Sequence, residues 1–160
     1  MASIPATSRR WAERMEALGF LPEVHVFPDG TRTAEDAALA IGCHVGAIVK
    51  SLVFLVDGVP TLALVPGDRR LDPGLLAAAA GGSKVTRAPL ELVKEATGFA
   101  AGGTPPFGHD TPVTTFADEA LHEEQEVWGA CGTPTTVFPF SPHDLDHLTD
   151  VTWAPLSDAP

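Results

Sequence analysis

The strongest constraint on how this chain folds is an apolar run interrupted once by a lysine and once by a turn. Ala47 to Val56 is rich in valine, isoleucine, leucine and phenylalanine, Asp57-Gly58 follows, and Val59 to Val65 returns. β-Branched and aromatic residues favour extended backbone, and Asp-Gly between two such runs signals a hairpin. Helices are expected around it. Ser8 to Leu18 carries Trp11, Met15 and Leu18 at helical spacing, with Gly19 as its stop. Thr33 caps a helix closed by Gly42, Pro73 opens one over Asp72 to Ala80, and Pro89 to Thr97 is capped by Gly98. Ser141 and Asp144, as N-cap and N3 residues, open a last helix ending near Leu148. Further strands are expected at Glu23 to Phe27, Lys84 to Thr86, Pro112 to Phe116, Glu126 to Ala130 and Thr135 to Phe140. An acidic turn or short helix is expected between the third and fourth of these. Strands mixed with helices, without regular alternation, predict an α+β fold with a mixed or antiparallel sheet.

The length of 160 residues fits a single domain, with no internal repeat or linker. No apolar stretch reaches the ~18 residues of a membrane span, and the polar start of the chain is unlike a signal peptide. Cys43 and Cys131 are too few and too distant for a disulfide framework. These features predict a soluble, reduced, cytoplasmic protein with no membrane partner. Acidic residues outnumber Lys and Arg by 21 to 10, a net charge of −11. Broad nucleic-acid surfaces are basic because phosphate neutralisation supplies most of their affinity. A nucleic-acid partner would therefore be gripped locally, at an end, or with help from a more basic protein.

Lys50 leads the candidates for chemistry. Its neighbours Ile48, Val49, Leu52, Val53 and Phe54 are apolar, so its ammonium either snorkels to the sheet edge or serves a pocket that needs positive charge. Gly98 to His109 comes second: Gly102-Gly103-Thr104-Pro105-Pro106 joins paired glycines to paired prolines, a rigid stretch with exposed amides. It matches neither a Walker loop nor a dinucleotide fingerprint. His109-Asp110 comes directly after it and could line the same cavity. His143 and His147 have the i, i+4 spacing of metal ligands but lack a clear third ligand. Cys43-His44 and Cys131 are alternatives for nucleophile and base, although an isolated cysteine often acts as a small core hydrophobe. No Ser-His-Asp order or Gly-x-Ser-x-Gly elbow is present.

Three segments occur together. The first runs from Thr33-Ala34-Glu35-Asp36-Ala37-Ala38 through Gly46 into Ile48 to Phe54, and the second is Gly98 to Gly108, with Gly102 to Pro106 as a Gly-x-x-x-Pro loop. The third joins Glu126-Val127-Trp128, Gly132-Thr133-Pro134 and Val137 to Pro142. In order and spacing, over roughly residues 8 to 153, they resemble the YbaK and prolyl-tRNA synthetase editing-domain family. The resemblance implies a compact, barrel-like mixed sheet surrounded by helices. It also implies a free-standing aminoacyl-tRNA deacylase that cleaves the ester joining a wrong residue, such as Ala, Cys, Ser or Thr, to tRNA for proline. The partner it implies is the tRNA 3′ acceptor end, with prolyl-tRNA synthetase a candidate second partner, and it calls for no metal, cofactor or protein nucleophile. Carried over by position, Lys50 would hold the terminal adenosine and its phosphate or ester oxygens. Gly102 and Gly103 would stabilise the oxyanion and place a water, with the ribose hydroxyl assisting. Thr104, Pro105, Pro106, Gly108, His109, Gly132 and Thr133 would bind substrate, and Ser51, on the opposite strand face from Lys50, would have a lesser role. Gly132 and Thr133 match loosely, standing where several members carry a polar contact. Two rivals remain: a non-catalytic aminoacyl-tRNA or nucleotide-binding module of the same fold, and a metal-dependent hydrolase built on His143 and His147.

Overall fold

The computed structural model describes residues 3–29 and 31–158. In chain order the elements are α1 (Ala6–Ala17), β1 (His25–Val26), α2 (Ala34–Ile41), β2 (Val49–Val56), β3 (Val59–Pro66), α3 (Pro73–Ala80), β4 (Val85–Arg87), α4 (Leu90–Thr97), β5 (Thr114–Asp118), β6 (Val127–Ala130), β7 (Thr136–Phe140), α5 (Asp144–Leu148) and β8 (Val151–Ala154). Short 3-10 turns occupy Val45–Ala47 and Glu119–Glu123. The α+β expectation holds. No helix among the described residues is long and apolar enough to cross a membrane.

The predicted hairpin is the middle of the larger sheet. β2 and β3 pair antiparallel from Val49↔Pro66 to Val56↔Val59. Asp57 (φ 48°) and Gly58 (φ 82°) both take the left-handed backbone that a two-residue turn matching strand twist requires. The Asp57 carboxylate accepts the amides of Ser83 (3.1 Å) and Lys84 (2.8 Å), tying this turn to the strand that pairs on β2's far edge. Those two amides, Lys84 first, hold the Asp57 carboxyl below its usual range.

Two sheets form, of order β4-β2-β3-β5-β8 and β1-β7-β6. The larger is mixed, since β3–β5 and β5–β8 pair in parallel, and the smaller is antiparallel. They do not close into a barrel, correcting the barrel-like expectation; among the described residues one parallel bridge, Ile48↔Trp128, joins them. β8 is unannounced in the sequence because Val151-Thr-Trp-Ala is short and half-exposed, and its strand character depends on its partner β5.

Val49, Val53, Leu62, Leu64 and Ala117 of the large sheet face Val127, Phe138 and Phe140 of the small one, with Trp11, Met15, Phe99 and Phe107 filling the space between. On the other face Phe54, Val56, Ala63, Val65 and Phe116 pack under Leu76 of α3. Because both faces are covered, β3 reads as a continuous apolar run instead of an alternating one. Leu64 is fully buried in this arrangement. Leu64→Ala is therefore expected to lower stability by about 2–5 kcal/mol, read from the midpoint of urea denaturation.

Candidate functional site

A cavity of about 300 Å³ opens beside the Ile48↔Trp128 bridge, where the two sheets part. Strand alternation puts Val127 and Phe138 in the core, so Trp128, Ala130 and Val137 present the opposite face of the small sheet as the cavity floor. The start of β2, Ile48 to Leu52, forms one wall. The start of α2 forms another: Thr33, Ala34 and Ala37 line it, and the Thr33 hydroxyl caps the helix by accepting the Asp36 amide at 3.0 Å. Gly102, Thr104 and Pro134 complete the rim.

Lys50 lines this cavity half-buried, and its ammonium donates to the carbonyl of Arg69 in the segment after β3. The side chain thus neither snorkels freely nor meets a carboxylate directly. Burial pushes its pKa below the ordinary 10.5, with Glu35 and Asp68 pulling it up and Arg70 pushing it further down. Ser51 lines the cavity too, although alternation places it with Val49 and Val53 on the core-facing side. Its Oγ is buried with no hydrogen-bond partner among the described residues. Both residues reach the cavity because it wraps around the end of β2, beyond what the two faces of a flat strand would predict.

The Gly-Pro loop divides into two parts. Gly102 and Thr104 line the cavity, and no carbonyl among the described residues receives either amide. Gly103 is committed elsewhere: its amide donates to Ala100 (3.1 Å) and its carbonyl accepts from Gly132 (2.8 Å). A Cβ on Gly103 would lie 2.7 Å from the Gly132 carbonyl oxygen, so only glycine permits this approach. Pro105 and Pro106 are buried outside the lining, Pro106 lying against Gly129. His109 is also off the lining, and its Nε2 donates to the Pro105 carbonyl at 2.7 Å. Burial lowers its pKa against the pull of that carbonyl, which favours the neutral ring that this bond uses. Gly108 turns with φ 76° beneath α1. Gly132 and Thr133 sit behind Pro134, where the Thr133 hydroxyl meets that of Thr136 at 2.9 Å. Of the candidate site residues, Lys50, Ser51, Gly102 and Thr104 therefore share the cavity, and the others support the loops around it.

The remaining candidates lie apart from it. His143 is the N-cap of α5 and His147 lies in its last turn. The expected cap, Ser141, stands two residues earlier, its amide donating to Asp144 (2.9 Å) and its Oγ accepting the His143 amide (3.3 Å), because the chain turns here before the helix begins. Among the described residues no three His, Cys, Asp or Glu side chains converge to hold a metal ion. His44 pairs with Glu124. Burial raises the Cys43 thiol above its ordinary value, and raises Cys131 to about 12 against a hydrogen bond with Thr136. A thiol kept protonated is a poor nucleophile. Sequence reasoning missed the cavity roles of Trp128, Arg32, Thr31 and Pro134. The Thr31 hydroxyl donates to the Pro134 carbonyl, bridging two rims over a hundred residues apart, a contact no local pattern signals.

A profile of the aminoacyl-tRNA editing domain matches residues 28–148. The chain belongs to this family. It is 39% identical over 102 residues to the proline--tRNA ligase of Maridesulfovibrio salexigens, but that stretch is 17% of the ligase's length against 63% of this chain. YwhH of Bacillus subtilis is similar over most of both chains, at 32% identity over 79% of this one and 81% of YwhH. EbsC of Enterococcus faecalis, named as a candidate Cys-tRNA(Pro)/Cys-tRNA(Cys) deacylase, is 28% identical over 78% of this chain and 77% of its own. A crystal structure described as that of a candidate trans-editing enzyme for prolyl tRNA synthetase superposes with a TM-score of 0.91 at 43% identity, covering 98% of this chain and all of that one. In this fold the Cys131 thiol is fully buried and held protonated. At pH 8, native Cys131 should resist iodoacetamide over hours while the urea-unfolded chain is alkylated, as followed by intact mass.

Proposed function

We propose that this editing domain hydrolyses the ester bond of mischarged aminoacyl-tRNA, its substrate class being tRNA for proline carrying a small residue such as alanine, cysteine, serine or threonine. The observation that carries this reading is that Lys50 and the loop residues Gly102 and Thr104, far apart in sequence, open onto one cavity of about 300 Å³. That volume lies at the small end of ligand pockets.

An aminoacyl ester is already activated, so placing a water and stabilising the oxyanion are sufficient chemistry. The unclaimed amides of Gly102 and Thr104 point to the oxyanion donors, with Gly103 as the pivot that holds them. Lys50 supplies a cation for the 3′-terminal phosphate or ester oxygens, and its bond to the Arg69 carbonyl orients the ammonium without neutralising it. Small-residue selectivity is assigned to the apolar part of this lining, Ala34, Ala37, Ile48 and Val137, against which the side chain of the esterified residue would pack. With a net charge of −11, the chain meets tRNA at its acceptor end, and a more basic synthetase partner such as prolyl-tRNA synthetase would add affinity in the cytoplasm.

The decisive experiment is deacylation of a panel of Ala-, Cys-, Ser-, Thr- and Pro-tRNA for proline by wild type and Lys50→Ala. One or more small-residue esters are expected to be cleared, Pro-tRNA spared, and the rate to fall about 10²-fold or more in Lys50→Ala. Binding without turnover across the panel would instead identify a non-catalytic module. A second expectation concerns pH. The lowered Lys50 pKa means the cation is lost at lower pH than for an ordinary lysine. The enzymatic rate above buffer hydrolysis should decline on the alkaline side before pH 10.5, and Lys50→Arg, if active, should keep its rate there.

A further inference from the structure

The inward face of α1 does more than fill the core. Ser8, Trp11 and Met15, at helical spacing, are all buried, and all three meet the two loops that border the cavity. Trp11 Nε1 donates to the Phe107 carbonyl at 2.9 Å, and Arg14 Nη1 donates to the Gly108 carbonyl at 2.8 Å. The other arm of the Arg14 guanidinium pairs with Asp110, which Arg10 also approaches at 3.5 Å. Gly108 passes so close to the helix that a Cβ there would lie 2.5 Å from Met15 Cε and 2.6 Å from Trp11 Nε1. One turn earlier, Ser8 Oγ meets Thr136 Oγ1 at 2.9 Å, and a Cβ on Gly132 would come within 3.0 Å of Ser8 Oγ. Gly132 in turn donates to Gly103. α1 therefore grips the Gly-Pro loop downstream of Thr104 and, through Gly132, at Gly103 itself. It also lies outside residues 28–148, the part that the editing-domain profile matches.

From this geometry we infer that α1 is a clamp for the cavity, with Trp11 and Arg14 as positioning residues that hold the Gly102 and Thr104 amides at its wall. The inference rests on the proposed hydrolysis for its catalytic consequence, but the clamp itself is a statement about the loop. Around its two anchors the loop's shape is further held by the Gly103–Ala100 turn, the Thr104 hydroxyl on Ala100 (3.1 Å), the Pro105–His109 bond and the burial of Pro105 and Pro106. Loss of the α1 bonds leaves the Phe107 and Gly108 carbonyls unpartnered and lets the segment shift. Misplacement by about 1 Å is enough to lower a rate by as much as 10²-fold.

The test compares Trp11→Phe, which keeps an aromatic ring in the core but removes the N–H together with part of the indole's volume, with Arg14→Gln, which removes the Arg14 guanidinium without emptying the core, and with Leu76→Val. Leu76 of α3 is buried in the second core, away from the cavity, so its variant reports what lost stability alone does. All are assayed at a temperature where each is fully folded, on an ester that wild type clears. Trp11→Phe and Arg14→Gln are expected to lower kcat about 10-fold or more with KM changed less than about 3-fold, while Leu76→Val leaves kcat unchanged. Amide hydrogen exchange over residues 99–108, measured without substrate, should quicken in the first two variants and not in the third. If Trp11→Phe and Arg14→Gln lower only the melting temperature, with exchange over residues 99–108 unchanged, α1 is a packing element and the clamp is overturned. If wild type clears no ester, the proposed hydrolysis fails, and the exchange measurement alone still decides for or against the clamp.

Discussion

β2 and β3 pair without interruption from Val49↔Pro66 to Val56↔Val59, and β3 is buried from Thr61 to Pro66. A strand covered on both faces requires a layer on each side, and those layers generate the rest of the molecule. One is the small sheet with α1, which brings Phe138, Phe140 and Trp11 against Leu62 and Leu64; the other is α3, whose Leu76 covers Ala63 and Val65. Among the described residues the backbones of the two sheets are bridged only at Ile48↔Trp128, and a gap remains where their edges diverge. That gap is the cavity, and the first residues of β2 necessarily form its wall. Register then determines which residues stand there: Lys50 opposite Val65 and Ser51 opposite Leu64. A slip of one residue would send Lys50 into the core between the sheets, where a charge without a partner is prohibitive.

The charge at this wall survives because it is only half-buried and because a carbonyl, not a carboxylate, receives it. A carboxylate in direct contact would hold Lys50 more firmly but neutralise the field it offers to an anionic ligand. Glu35 and Asp68 are close enough to support protonation without making that contact. In a chain with a net charge of −11, such a site offers a local positive charge on an otherwise acidic molecule. This suits the proposed reading, in which the chain meets only the end of a long polyanion.

The Gly-Pro loop shows a division of labour between neighbouring residues. Gly103 is drawn into contact with Gly132, too close for any side chain, and this approach turns the flanking residues Gly102 and Thr104 toward the cavity. Buried Pro105 and Pro106 stiffen the next stretch of the loop, and α1 receives its exit at Phe107 and Gly108. The position of two unclaimed amides is thereby set by contacts with the N-terminal helix and with the turn after β6.

Much of this was written locally. Asp57-Gly58 between two apolar runs could only turn back on itself, Thr33 and Gly42 bracket α2 as cap and stop, and Lys50 is conspicuous because its neighbours are hydrocarbon. Each is decided by backbone propensity or hydrophobic periodicity, which act over a few residues, and the ordered motifs sufficed to place the chain in its family. Tertiary structure alone decided the rest. β8 became a strand by pairing with β5, the sheets stayed open, Trp128 and Arg32 joined the cavity, and Gly103 left it. Those outcomes depend on which surfaces meet across more than a hundred residues, as Thr31 meets Pro134 and Ser8 meets Thr136. The physical reason is that packing and hydrogen bonding between distant segments depend on three-dimensional proximity, which periodicity along a chain does not encode.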